Sequence, residues 1–100
     1  MKIQAQGNTL AVSEITELNA GNAGMFRDQV RSALTQAQAN IDIDLSQMEF
    51  VDSAGLGSLV ALRKTACERN GRVRLINPSP HVQQILELTR LHRVFEIVRM

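Results

Sequence analysis

Hydrophobic and polar residues alternate strictly along one stretch of the chain, Ile41-Asp42-Ile43-Asp44-Leu45. Because successive side chains of a strand point to opposite faces, this pattern predicts a strand with its aliphatic side chains on one face and its aspartates on the other. Gly7 and Asn8 separate two further short strands and predict the tight turn of a hairpin, since both residues tolerate a positive φ. The remaining strands are predicted in segments of similar character, so that the full set is residues 2–6, 9–15, 41–45, 72–76 and 94–98.

Three segments between these strands repeat apolar residues at intervals of three and four, which is typical of amphipathic helices. The first spans residues 21–39, begins at a cap of Asn19 or Asn22, exposes Arg27, Asp28, Arg31 and Gln38, and buries Met25, Phe26, Val30, Ala33, Leu34 and Ala37. The second spans residues 54–70, ends at Gly71, and buries Leu56, Leu59, Val60 and Cys67 with part of Leu62 and Ala66. The third follows the cap Ser79 and Pro80, and buries Val82, Ile85, Leu86 and Thr89.

The predicted order of elements is therefore β-β-α-β-α-β-α-β. Helices between the later strands imply right-handed crossovers and parallel pairing, whereas the hairpin implies one antiparallel pair. We predict an α/β fold, a mixed sheet with its helices largely on one face. One hundred residues with 44% hydrophobic content suit one domain, residues 1–100, and leave no room for a second.

Composition excludes several classes of function. Eleven basic residues against ten acidic ones are scattered along the chain, so neither a nucleic-acid partner nor a membrane surface is favoured. The chain lacks tryptophan and tyrosine, and its three phenylalanines, Phe26, Phe50 and Phe95, are predicted to lie in the core rather than to stack on bases. Without a signal-peptide pattern or an apolar membrane span, we expect a cytoplasmic location. Cys67 excludes an intrachain disulfide and is predicted to be a buried structural thiol.

Residues 50–58, Phe-Val-Asp-Ser-Ala-Gly-Leu-Gly-Ser, join a strand to the second helix and place Ser53 at the helix N-terminus. Free backbone N–H groups and the helix dipole favour a phosphate there. Gly55 and Gly57 each cost up to about 1 kcal/mol relative to alanine in a helix. Either tight packing of the helix or a partner lying against its backbone must offset that cost. By base rates alone, Ser53 would be an ordinary N-cap.

The run from Asp52 to Gly57 resembles the signature of the STAS domain family, specifically the anti-sigma-factor antagonists of bacteria, which reads roughly Asp-Ser-Ser/Ala-Gly-Leu-Gly. Near the N-terminus, Thr16-Glu17-Leu18-Asn19 aligns with the family's Gly-Glu-Leu-Asp but lacks its glycine and aspartate. From about residue 40 onward the resemblance is strong. It includes Ile43-Asp44-Leu45-Ser46, Met48, Phe50-Val51, Pro80-His81-Val82, Ile85-Leu86, Thr89, Leu91 and Phe95-Glu96-Ile97.

This resemblance implies a partner-switching cycle. An anti-sigma factor with serine-kinase activity would bind the unmodified protein and phosphorylate Ser53, and a PP2C-type phosphatase would reset it. The chain itself would not be an enzyme, and Asp52 would position the loop or orient the hydroxyl. The alternative is a STAS subunit that binds its partner without phosphorylation, for example in a phospholipid-transport ATPase complex. The partner-binding residues implied are Glu17, Asn19, Asp52, Ser53, Ala54, Gly55, Gly57 and Ser58.

Other chemistries have weaker support. A receiver domain built on Asp44 or Asp52 would need an acidic pair after the first strand, which is missing. A triad of Ser53 and Asp52 with His81 or His92 lacks the G-x-S-x-G elbow. The Gly55-Leu56-Gly57 run lacks the Lys-Ser/Thr ending of a P-loop and the third glycine of a dinucleotide motif. Metal ligands are not clustered, so we predict no metal or cofactor, and Ser58 is only a second candidate acceptor.

Overall fold

Five strands form the main sheet, and the computed structural model describes all 100 residues. The strands are β1 (Lys2–Gln6), β2 (Thr9–Ser13), β4 (Asn40–Asp44), β6 (Val73–Ile76) and β7 (Glu96–Val98), and β3 (Glu17–Leu18) pairs with β5 (Phe50–Val51) in a separate two-stranded sheet. The main sheet has the order β1-β2-β4-β6-β7. Strands β1 and β2 are antiparallel, and every other neighbouring pair is parallel. The mixed sheet predicted from the sequence is confirmed.

Three helices connect neighbouring parallel strands of the main sheet: α1 (Ala23–Ala33), α2 (Ser53–Glu68) and α3 (Pro80–Leu88). A short 3₁₀ turn, Leu91–Arg93, follows α3. The inward side chains of β2, β4 and β6 are buried, whereas their outward neighbours, such as Ala11 and Asp42, are only half-buried. The helices therefore cover one face, as predicted. None of them has both the length and the apolar character needed to span a bilayer.

One hydrophobic core lies between the sheet and the helices. Strand residues Ile41, Ile43 and Leu75 pack there with Leu59 and Leu62 of α2, and all five are fully buried. Each such side chain contributes about 1.5–3 kcal/mol by leaving water. On the opposite face of the sheet, Arg74 donates to both carboxylate oxygens of Asp42, at 2.8 and 2.6 Å. This hydrogen bonding is the main reason why the pKa of Arg74 is raised above its usual value.

Helix α1 is shorter than the sequence predicts. It ends at Ala33, because Leu34 has an extended backbone and a turn follows. Gln38, expected to face water, is buried: its side chain accepts from Thr35 and donates to the carbonyl of Gly7. Conversely, Met25 and Ala37, expected in the core, are exposed. Tertiary hydrogen bonds to the hairpin turn thus override the helical propensity of residues 34–39.

The buried stripe of α2 is also rotated from its predicted position. It consists of Gly55, Ser58, Leu59, Leu62 and Ala66. Val60 and Cys67, predicted to be buried, lie outside this stripe and are exposed. Phe50 and Thr89 are likewise exposed rather than buried. Phe26 and Phe95 do lie in the core, as predicted.

The end of α2 depends on two consecutive residues. Asn70 adopts the left-handed conformation, with φ of 60°, and its N–H donates to the carbonyl of Cys67. The N–H of Gly71 donates to the carbonyl of Ala66 at 2.8 Å, which completes a Schellman motif. Gly71 is required for another reason: a Cβ there would overlap the carbonyl group of Ala39. The sequence correctly indicates the end of the helix, but Asn70 supplies the left-handed residue.

The start of α3 agrees with the prediction. Ser79 caps the helix, accepting from the N–H of Val82, and Pro80 occupies the first turn. The hairpin turn is also confirmed, although of its two residues, Gly7 and Asn8, only Gly7 has a positive φ. Strands β3 and β5 were not predicted. Each contains two residues, too few to show a periodic pattern.

Candidate functional site: a serine at the start of helix α2

Asp52 holds the N-terminus of α2. Its backbone is extended, which is normal for an N-cap, and its Oδ1 accepts a hydrogen bond from the N–H of Gly55 at 2.9 Å. Its Oδ2 accepts from the N–H of Ala20 at 3.0 Å. One carboxylate therefore joins the start of α2 to the loop between β3 and α1. Asp52 thereby fixes both the first turn of α2, where Ser53 lies, and the neighbouring loop.

Ser53 is the first residue of α2 and is exposed. Because Asp52 takes the capping role, the Ser53 hydroxyl is not needed for the cap. The carbonyl of Asp52 accepts from Leu56, and its side chain accepts from Gly55, so the N–H groups of Ser53 and Ala54 have no intrahelical acceptor. The hydroxyl of Ser53 thus lies in solvent at a helix end that has two free N–H donors. A phosphate on Ser53 could be accepted there without refolding of the helix.

The two glycines of the motif have different environments. A Cβ on Gly55 would overlap the carbonyl of Leu18 and lie 2.9 Å from a methyl carbon of Val51, so close packing of α2 on β3 and β5 requires this glycine. A Cβ on Gly57 would meet nothing within 4 Å. The fold therefore explains Gly55, whereas nothing within the chain explains the exposed Gly57. Tight packing, one of the two explanations considered for the glycines, holds at Gly55, and a partner lying against the backbone stays a prediction for Gly57.

The loop between β3 and α1 lies beside Ser53 and has its own hydrogen bonds. Asn22 accepts from the N–H of Asn19 at 2.8 Å and donates to the carbonyl of Glu17 at 3.0 Å. The side chain of Asn19 accepts from Gly21 and is therefore used inside the loop. Glu17 is exposed and forms no ion pair. Of the two partner-binding residues expected in this region, Glu17 at the end of β3 presents a free side chain to solvent.

Ser58 lies inside the domain. It is 5% exposed, and its hydroxyl donates to the carbonyl of Gly55 at 2.7 Å. Gly55 is buried as well. Neither residue can contribute side-chain surface to a partner while the domain stays folded, so the structure corrects our placement of them at the recognition surface. Ser58 is also unsuitable as a second phosphate acceptor.

Two exposed apolar residues near Ser53 were missed by the sequence reasoning. Phe50, 50% exposed, pairs in register with Glu17 in the small sheet. Val60, 41% exposed, lies on the same side of α2 as Ser53 and Gly57, since these positions are spaced by four and three residues. A helical wheel centred on the buried stripe of α2 would have revealed Val60. We call the surface formed by Glu17, Phe50, Ser53, Gly57 and Val60 the Ser53 face.

The histidines do not complete a catalytic arrangement with Ser53. His81 lies at the N-terminus of α3, and Nδ1 of His92 is 3.4 Å from the carbonyl oxygen of Leu86. The structure contains no group of three or more His, Cys, Asp or Glu side chains that could hold a metal ion. The arrangement around Ser53 is thus a surface with an available hydroxyl and two free N–H donors.

Comparison with known proteins identifies the family. The family model described as "Mlab, STAS domain" matches residues 1–99. The chain therefore belongs to the STAS domain family, as the sequence predicts. A curated relative from Thermotoga maritima, named "Putative anti-sigma factor antagonist", is 34% identical over 82 residues, which cover 81% of this chain and 73% of the relative.

Solved structures agree with this assignment. The crystal structure of a putative anti-sigma factor antagonist from Thermotoga maritima has a TM-score of 0.89 and 27% identity, and the match covers 99% of this chain and 85% of that one. The anti-sigma factor antagonist SpoIIAA in its unphosphorylated form has a TM-score of 0.86 at 22% identity, covering 99% and 86% of the two chains. At that identity the likeness shows the fold alone.

Proposed function

We propose that this chain is an anti-sigma factor antagonist that binds an anti-sigma factor through the Ser53 face and is released when Ser53 is phosphorylated. The observation that carries the proposal is the exposed hydroxyl of Ser53 at the first position of α2, with Asp52 rather than Ser53 serving as the cap. The name of the Thermotoga maritima relative supports the same role. The chain acts by binding, and its partner supplies the kinase activity.

The unmodified surface suits a protein partner. Phe50 and Val60 offer exposed apolar side chains from β5 and α2, and Gly57 lets a partner approach the helix backbone closely. Glu17 adds a free carboxylate at one edge. Such a combination of apolar centre and polar edge is common in protein interfaces.

Phosphorylation would change this surface electrostatically. A phosphoserine carries about −1.5 to −2 charges at neutral pH. Within the domain, the free N–H groups of Ser53 and Ala54 and the helix dipole stabilise that charge. Against a partner, a like charge about 4 Å away costs about 4 kcal/mol in a surface-like dielectric. Because every 1.4 kcal/mol weakens binding tenfold, a loss of at least about 100-fold follows with little backbone movement.

Phosphorylation with candidate partners tests the proposal. The protein is incubated with ATP and each anti-sigma factor of the kinase type encoded by the same organism, and the products are mapped by mass spectrometry. We expect one phosphate, on Ser53, which is absent from Ser53→Ala and which a PP2C-type phosphatase removes. Ser58→Ala is the matched control and should be phosphorylated like the wild type, since Ser58 is buried.

Binding measurements provide the second arm. Ser53→Asp should weaken the kinase partner's affinity, whereas Ser53→Ala should preserve it. Equal affinities for the two variants would eliminate the switch. A stable complex with a partner that does not phosphorylate Ser53, and that binds Ser53→Asp as tightly as the wild type, would instead support the alternative, a fixed STAS subunit such as one in a phospholipid-transport ATPase complex.

A further inference from the structure

A groove runs between α1 and the outer strand β1, and of the residues of the Ser53 face only Glu17 lines it. Its long part is lined by Met1, Ile3, Met25, Gln29 and Ala33. At the end near the β2–β3 connection, the groove deepens into a cavity of about 280 Å³, where Ile15 and Phe26 form apolar walls. The two parts share Met1, Met25 and Gln29 and are therefore continuous. We call this feature the α1–β1 groove.

The methionines of the groove are unusually accessible. Met25 is 65% exposed and Met1 is 48% exposed, although the pattern of α1 predicts that Met25 is buried. Adjacent exposed apolar residues mark docking sites more often than isolated ones do. Methionine side chains are flexible and polarisable, so they adapt to varied apolar partners.

Strand β1 presents an unpaired edge along the same groove. It pairs only with β2, and the two-residue turn makes Gln6 and Thr9 a hydrogen-bonded pair. Since hydrogen-bonded and non-hydrogen-bonded pairs alternate, Ile3 and Ala5 direct their N–H and C=O groups away from β2. Groups in this position can pair with an added strand, as in other edge-strand recognition.

The charged side chains that line the groove are all acidic, and the α-amino group of Met1 is the one positive group beside them. Glu14 and Glu17 line its deep end, Asp28 lines its long part, and no lysine or arginine side chain lines either. Asp28 forms an exposed ion pair with Arg27 at 3.2 Å, whereas Glu14 and Glu17 form none. An occupant that carries positive charge would therefore find two uncompensated carboxylates beside an apolar floor.

We propose that the α1–β1 groove binds an extended basic segment of a partner protein. The segment adds a strand to β1, places apolar side chains on Met1 and Met25, and directs a lysine or arginine side chain towards Glu14 and Glu17. This docking surface goes beyond the proposed function because it requires neither Ser53 nor its phosphorylation.

Two synthetic peptides test the proposal: acetyl-Arg-Val-Lys-Val-Arg-Val-Lys-amide and the peptide with glutamate at every basic position. Each is titrated into the ¹⁵N-labelled protein while amide NMR shifts are recorded. We expect the basic peptide to shift the amides of residues 1–5, Glu14 and Met25, and to leave Gly57 unmoved. Equal binding of both peptides, shifts centred on Ser53, or no shifts with either peptide would overturn the proposal.

Four variants sharpen the test. Glu14→Gln should weaken the affinity for the basic peptide about two- to fivefold, which is the contribution of an exposed charge pair. Glu87→Gln makes the same charge change on an exposed residue of α3 and should leave the affinity for the basic peptide unchanged. Ala5→Pro removes an outward N–H and should abolish strand addition, while the bonds to β2 remain. Ser53→Asp should bind the peptide like the wild type. If Glu14→Gln and Glu87→Gln behave alike, or Ser53→Asp loses binding, the proposal is wrong.

Discussion

The same substitution at two neighbouring glycines should have opposite effects on stability. Gly55→Ala places a methyl group against the carbonyl of Leu18 and 2.9 Å from Val51, whereas ordinary contacts begin near 3.4 Å. Helix α2 must therefore move away from β3 by about one ångström to restore an ordinary contact with the carbonyl of Leu18. Overpacking costs about 1–3 kcal/mol, and the upper half of that range, about 2–3 kcal/mol, applies here because the overlap is with backbone atoms. Alanine's better helix propensity returns up to about 1 kcal/mol, which leaves a net loss of about 1–2 kcal/mol.

Gly57→Ala should do the reverse. Its Cβ enters open space, so the main effect is the reduced conformational freedom of the unfolded chain, about 0.4–1 kcal/mol in favour of folding. The free energies of unfolding of the two variants should thus differ by about 1.5–3 kcal/mol. Urea denaturation measures this difference, provided that the slopes of the transitions are equal. For a domain of this size each kcal/mol corresponds to about 4–8 °C in Tm.

The pair also separates folding from function. Gly57→Ala should weaken partner binding although it stabilises the domain, because the proposed partner lies against this part of α2. If Gly55→Ala is as stable as the wild type, the packing of α2 on β3 has been described incorrectly. If Gly57→Ala binds the partner unchanged, Gly57 does not belong to the partner surface.

Substitutions at three further positions test separate parts of the structure. Asp52→Ala should lower the free energy of unfolding by about 2–3 kcal/mol in urea titrations, since it removes both the helix cap and the hydrogen bond from Ala20. Asp52→Asn keeps the cap and should lower it by only about 1 kcal/mol. Equal losses for the two variants would contradict the double role of Asp52. Gly71→Ala should cost about 3 kcal/mol by thermal denaturation, because its Cβ overlaps Ala39, and a loss under 1 kcal/mol would count against that contact. Cys67→Ser should change the free energy of unfolding by less than about 0.5 kcal/mol, because Cys67 is exposed. In the folded protein, Cys67 should react with a thiol reagent as fast as it does in protein unfolded in urea. Slower labelling of the folded protein would mean that the thiol is buried.

The parts of the fold with a clear period were predictable from the sequence. The alternation around Ile43 identifies β4, and the Ser79-Pro80 pair identifies the start of α3. The end of α1 was not predictable, because Gln38 bonds to Gly7 in a distant turn and the intervening residues remain compatible with a helix. The rotation of α2 was missed since Val60 and Cys67 are apolar yet lie on its exposed side.

The site was predictable in position but not in detail. The motif placed Ser53 at the start of α2, and the structure agrees. Whether Asp52 or Ser53 caps the helix could not be decided, because both residue types are good caps and sit one position apart. The backbone N–H of Ala20, 32 residues away in the sequence, donates to the second carboxylate oxygen of Asp52. A contact between residues so far apart in the sequence cannot be predicted from the pattern of neighbouring residues.

The most direct test of the central claim is the affinity of one partner for both forms of this protein. The anti-sigma factor that phosphorylates Ser53 is titrated, by calorimetry, into the unmodified protein and into protein phosphorylated on Ser53. A dissociation constant at least about 100-fold higher for the phosphorylated form is expected from the charge added beside the free N–H groups of α2. Equal dissociation constants would contradict the account.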